Sequence, residues 1–73
     1  MKPSRLNETM QAVDFGTIDV AVLTGVTQRT VQMWLAGTSP IPQAAALLIE
    51  AFAEKQISME WVEDKIIKLM KTA

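Results

Sequence analysis

Between Thr27 and Gly37 the chain reads TQRTVQMWLAG, and its side chains with hydrogen-bonding reach are Gln28, Arg29, Thr30 and Gln32, with the flexible thioether of Met33 among them. Arg29 can offer a guanidinium fork to guanine O6 and N7. Gln28 and Gln32 can pair with adenine N6 and N7, and Thr30 or Met33 can pack on a thymine methyl. Each good bidentate pair is worth about 1–3 kcal/mol of discrimination between bases. Val31, Trp34 and Leu35 fall at i, i+3 and i+4 in the same segment, an inward apolar stripe that places Trp34 in the core. A helix locked by one face and polar on the other suits the major groove of DNA.

Those side chains need elements to hold them. Thr17 is the expected N-cap of a helix running TIDVAVLT, with Asp19 in its first turn at the positive end of the dipole. Ile18, Val20, Ala21 and Leu23 supply its apolar surface, and Val22 with Leu23 extends the arc beyond what an inner face requires. Gly25 is placed to end this helix in a left-handed conformation. Thr27 then caps the next helix, with Val26 and Val31 spaced as a hydrophobic staple, and Gly37 ends it. So short a turn makes the two helices cross steeply, with the small Ala21 at the crossing. Thr24 is expected to bond back to the carbonyl at i−4.

Composition removes other chemistries. The chain has no Cys and no His, so a disulfide framework, cysteine-ligated zinc and the usual nucleophile–base pairs lose their residues. No cofactor or metal is implied, and no acid–base pair has a recognisable setting for an enzyme. At 73 residues, 49% of them hydrophobic, the chain has room for one domain spanning 1–73. It begins MKPSRLNE without an apolar signal segment, and no run reaches membrane-span length, so a cytoplasmic protein is expected. The formal net charge is −1, and neither part of the chain divided at Ile41 has a basic surplus. Neutralised phosphates supply much of the affinity for DNA, so modest, salt-sensitive binding per protomer is expected.

The rest of the chain reads as further helices. Ser4 is the expected N-cap of a first helix with Leu6, Met10 and Val13 on one face, ending at Asp14 and Gly16, with Phe15 folded inward. Lys2 and Arg5 either reach a phosphate or remain solvated. GTSPIP, residues 37–42, is a turn in which Thr38 and Ser39 either donate to phosphate oxygens or satisfy backbone groups. Residues 43–54 form a fourth helix, apolar around most of its circumference and central in the bundle, with Ala44, Leu47, Leu48, Ala51 and Phe52 inward. Ser58 caps a fifth, over about 58–71, whose stripe is Met59, Val62, Ile66 and Leu69 or Met70, with Ile57 and Val62 as a staple. Its wide apolar arc exceeds one chain's needs, which predicts a two-fold homodimer interface through Trp61, Val62, Ile66, Leu69 and Met70.

Ala21, Gly25, Val26, Thr27, Val31, Trp34 and Gly37, followed by Pro40, Pro42 and an apolar helix, resemble the lambda-repressor-like helix-turn-helix domains of the Cro and repressor type. The likeness spans roughly residues 6–54 and departs from the family pattern at Thr17, Thr24, Met33 and Leu35. It implies an all-α, compact five-helix domain that binds double-stranded DNA without catalysis. It also implies a small phage or mobile-element regulator. The expected DNA-binding residues are Thr17, Thr27, Gln28, Arg29, Thr30, Gln32, Met33, Thr38 and Ser39. A homodimer would place two recognition helices about 34 Å apart on a pseudo-palindromic operator, repressing by occupancy. Two other readings stand beside it: an antitoxin or adaptor that binds a protein through the fifth helix, and a recombination directionality factor that bends DNA.

Overall fold

The computed structural model describes residues 1–72, and every regular element in them is a helix. The five are α1 (Pro3–Ala12), α2 (Thr17–Thr24), α3 (Gln28–Ala36), α4 (Gln43–Ala53) and α5 (Met59–Thr72). α1 and α2 each pack on both α3 and α4, while α5 lies less closely against its neighbours. No helix among the described residues is long and apolar enough to cross a membrane.

The core is built where these faces meet. Leu6 and Met10 from α1, Val20 and Leu23 from α2, Val31 and Trp34 from α3, Ala45 and Ile49 from α4 and Val62 from α5 are all buried. Trp34 is the largest fully buried side chain. α4 is oriented differently from the sequence pattern. Ala45 and Ile49 face inward with Leu48 and Phe52 partly buried beside them, whereas Ala44 is exposed and Leu47 is 62% exposed. Its apolar residues run around the whole circumference, so periodicity alone does not select a face.

Helix starts follow local chemistry, with two corrections. Lys2, not Ser4, is the N-cap of α1, because Pro3 occupies the first turn with its fixed φ and missing N–H. Gly16, not Thr17, is the N-cap of α2; its N–H donates to the Asp19 carboxylate at 2.8 Å, which closes the first turn from the other side. Thr27 and Ser58 cap as expected, accepting from the Thr30 and Trp61 N–H groups at 3.2 and 3.1 Å. The Thr24 hydroxyl donates to the Val20 carbonyl at 2.7 Å, also as expected, and buried Thr9 does the same to Arg5 at 2.8 Å.

Four helix ends share one device, a left-handed residue followed by an N–H that reaches back five residues. Gly25 and Gly37 take that conformation after α2 and α3, with the Val26 and Thr38 N–H groups donating to Ala21 and Met33. α1 and α4 end in the same way on residues that are not glycine, Asp14 (φ 56°) and Lys55 (φ 62°). The Phe15 N–H then donates to Met10 at 2.8 Å, so α1 stops at Ala12 with Asp14 in its terminating turn as expected, while Gly16 serves the start of α2. That turn folds Phe15 onto Phe52, with ring centroids 4.5 Å apart.

Candidate nucleic-acid interface

α2 and α3 are joined by the three residues 25–27, and α3 turns Val31 and Trp34 fully into the core with Leu35 partly buried beside them. With Val31 and Trp34 inward, the opposite side of a 3.6-residue repeat falls to Arg29 and Ala36, flanked by Gln32 and Met33. Arg29, Gln32 and Ala36 are exposed, and Met33 is half-buried. The side chains of Arg29 and Gln32 make no hydrogen bond or ion pair among the described residues. The helix therefore presents one guanidinium and one carboxamide from a backbone that the core holds still. Ala36 was not among the expected contacts; its spacing of seven from Arg29 is the signal that places it on this face.

Gln28 stands at the edge of that face nearest α2. Its Nε2 donates to the Thr17 Oγ1 at 2.7 Å, so the first residues of α2 and α3 are tied together. Thr17 keeps its own hydroxyl proton, and Gln28 keeps its carbonyl oxygen and a second N–H. Thr30 lies on the other edge, its hydroxyl 3.0 Å from that of Thr27. Thr27 is thus engaged twice, as cap and as hydroxyl partner.

In the turn after α3 the two hydroxyls differ. Thr38 donates to the Met33 carbonyl at 3.2 Å, so its proton serves the helix end. Ser39 is half-buried, with no hydrogen bond among the described residues. Thr17, Thr27, Gln28, Arg29, Thr30, Gln32 and Met33 are brought together at α3 and the start of α2, while Thr38 and Ser39 follow the far end of α3. Arg5 is drawn away from any such surface. Its Nε and Nη2 donate to the two carboxylate oxygens of Glu50 at 2.8 and 2.9 Å, a fork from α1 to α4 that the sequence reading did not foresee.

Charge is distributed in a way that the net value of −1 conceals. From residue 20 to residue 49 Arg29 is the single charged residue, so α3, its flanking turns and most of α2 and α4 carry no carboxylate. The acidic surplus lies later, in Glu50, Glu54, Glu60, Glu63 and Asp64. Like-charge repulsion toward a polyanion is therefore weakest along this stretch, and Arg29 supplies its one full positive charge.

Among the described residues no group of three or more His, Cys, Asp or Glu could hold a metal ion. Of the five residues assigned to a two-fold interface, Val62 is 5% exposed and belongs to the chain's own core, and Ile66 is half-buried against it. Trp61, Leu69 and Met70 are exposed, whereas Leu23 is buried, which reduces the expected Val22–Leu23 arc to Val22 with Ile18. No protein-family model, curated protein or solved structure matches the chain.

Proposed function

We propose that this chain is a sequence-specific double-stranded DNA-binding domain that regulates transcription, with α2 and α3 as a helix-turn-helix and α3 as the helix that enters the major groove. The observation that carries the reading is the outer face of α3. Arg29 sits at its centre and Gln32 beside it, both uncommitted to other groups of the described chain, on a helix anchored by buried Val31 and Trp34. Arg29 reads guanine through its fork, Gln32 and Gln28 read adenine, and Ala36 or Met33 meets a thymine methyl. Thr17 and Ser39 keep hydroxyl protons for phosphate oxygens, and Thr27 orders the helix start. With one cation on this surface, a single protomer binds weakly, so the reading calls for two copies on a pseudo-palindromic site with half-sites about 34 Å apart. Such a dimer on a promoter represses by excluding polymerase. The lambda-repressor-like arrangement, a phage or mobile-element origin and action inside the cytoplasm belong to the same proposal.

Selection from a random duplex pool tests it, with the native chain and Arg29→Ala in parallel at low salt. The expected result is enrichment of an inverted repeat that is relaxed at a guanine position in the variant. If no sequence is enriched, the reading fails, and the exposed apolar residues of α5 favour the adaptor function instead.

A further inference from the structure

The apolar surface of α5 outruns the core it covers. Met59, Val62 and Ile66 pack inward, and Val62 is 5% exposed, yet in the following turn Ile67, Leu69 and Met70 are 53%, 68% and 73% exposed. The same helix is divided by charge, with Glu60, Glu63 and Asp64 toward its start and Lys65, Lys68 and Lys71 following them. At helical spacing, Glu60, Glu63, Asp64, Ile67, Met70 and Lys71 share one side, and all six are exposed. Ile67 is the apolar centre of that side. Glu63 stands four residues before it and Lys71 four residues after it.

This arrangement is complementary to itself in one direction only. In a pair of such helices running antiparallel about an axis at Ile67, each residue faces the one equally far on the other side. Glu63 then meets Lys71 of the other copy twice, and Met70 covers the stem of Asp64. A parallel pair would set Glu63 against Glu63 and Lys71 against Lys71. We infer that α5 docks antiparallel on α5 of a second copy of this chain, with Ile67 meeting its counterpart on the two-fold axis and a Glu63–Lys71 pair on either side. Neither Glu63 nor Lys71 makes an ion pair among the described residues, while Asp64 already holds Lys68 at 3.0 Å. Exposed ion pairs add little affinity, so here the charges select orientation and register, and Ile67 with Met70 supplies the apolar contact. Trp61 falls on another side of the helix, its ring 5.8 Å from the Lys65 ammonium, and lies outside this interface. The inference supplies the two-fold pairing on which the operator reading rests, but it concerns the chain without DNA.

Sedimentation of the full chain over a dilution series, with no DNA present, is the test. Wild type is expected to show a reversible monomer–dimer equilibrium, and Ile67→Glu to raise the dimer Kd by about ten-fold or more with an unchanged helical circular dichroism spectrum. Because the chain has no Cys, introduced thiols report orientation. A mixture of Glu63→Cys and Lys71→Cys chains should oxidise mainly to the mixed disulfide. A chain that stays monomeric at several hundred micromolar overturns the inference, as does a dimer indifferent to Ile67→Glu or Glu63→Cys linked mainly to itself. A dimer that selects no duplex sequence would leave α5 pairing standing and remove the DNA reading; a monomer that does select one would do the reverse.

Discussion

The Gln28 Nε2 lies 2.7 Å from the Thr17 Oγ1, a hydrogen bond from the first residue of α3 to the first residue of α2. The bond is exposed and contributes little to folding, since water replaces it readily. Its effect is on the Gln28 rotamer, held toward α2 at the rim of the proposed DNA-reading face. Thr17→Val keeps the side-chain shape and removes the oxygen. Its unfolding free energy should stay within about 0.5 kcal/mol of wild type. Base preference at the position facing Gln28 should broaden, while the Arg29 position keeps its guanine. Duplex selection on the variant checks both, and unchanged preference at every position would deny Gln28 a reading role.

Lys55 and Asp14 hold left-handed backbone where Gly25 and Gly37 do so without a Cβ. A residue with a Cβ costs roughly 1–2 kcal/mol in that region. Lys55→Gly should therefore raise stability by about 1 kcal/mol, a gain of about 4–8 °C in Tm for a domain of this size. Gly25→Ala is the mirror experiment. Nothing lies within 4 Å of a Cβ built at Gly25, so its cost, about 1 kcal/mol, isolates the backbone term. Thermal unfolding followed by circular dichroism measures both, and equal Tm values for Lys55→Gly and wild type would contradict the strain argument.

That comparison also shows what was legible in the sequence. Gly25, Gly37, Thr27 and Ser58 declare helix ends by residue type, and the structure uses all four in those roles. Asp14 marks the end of α1 as expected, but Lys55 does not declare its turn, since a lysine has no preference for left-handed backbone. Ser4 is a better capping side chain than Lys2, yet Pro3 overrides it by fixing φ one residue earlier. The face of α4 was hidden by its composition, since QAAALLIEAFA offers apolar residues in every direction; the one carboxylate, Glu50, is claimed by Arg5 across the bundle. On α3 the inner stripe and the outer polar set could both be read, because Gln and Arg alternate with Val and Trp at clear helical spacing. The tether from Gln28 to Thr17 could not, as it joins residues 11 apart in sequence through tertiary packing.

The two tryptophans occupy opposite environments, Trp34 at 1% exposure and Trp61 at 46%. Truncating a buried Trp costs about 3–5 kcal/mol, and a chain of this length holds only on the order of 4–11 kcal/mol in total. Trp34→Ala should therefore be largely unfolded at 37 °C or close to it, with loss of the far-ultraviolet helical signal. Trp61→Ala should keep its Tm within a few degrees. In the native chain acrylamide should quench two populations, one strongly and one weakly. A single quenching constant would mean that Trp34 is accessible and the core assignment wrong.

Arg5 and Glu50 make a small contribution to the acid limb of stability. The hydrogen bond from the Arg5 guanidinium, reinforced by its charge, holds the Glu50 carboxyl below the usual carboxylate range against a smaller opposing effect of desolvation. A carboxyl depressed in the folded state stabilises fully above its unfolded pKa, and that contribution disappears as pH falls through the folded value. The shift on Arg5 is upward and arises chiefly from the same Glu50 carboxylate, so the guanidinium stays charged through the acid and neutral range and the pair is lost in acid only by protonation of Glu50. The side chains are 52% and 32% exposed, so water and salt screen the pair and the effect is small. Glu50→Gln should lower stability slightly at neutral pH and flatten the decline between about pH 5 and pH 3. Arg5→Gln should flatten the same limb, because Glu50 then titrates nearly as it does unfolded. Urea unfolding at a series of pH values checks this, with added salt expected to narrow the difference from wild type. If both variants parallel wild type across that limb, the fork between α1 and α4 does not persist in solution.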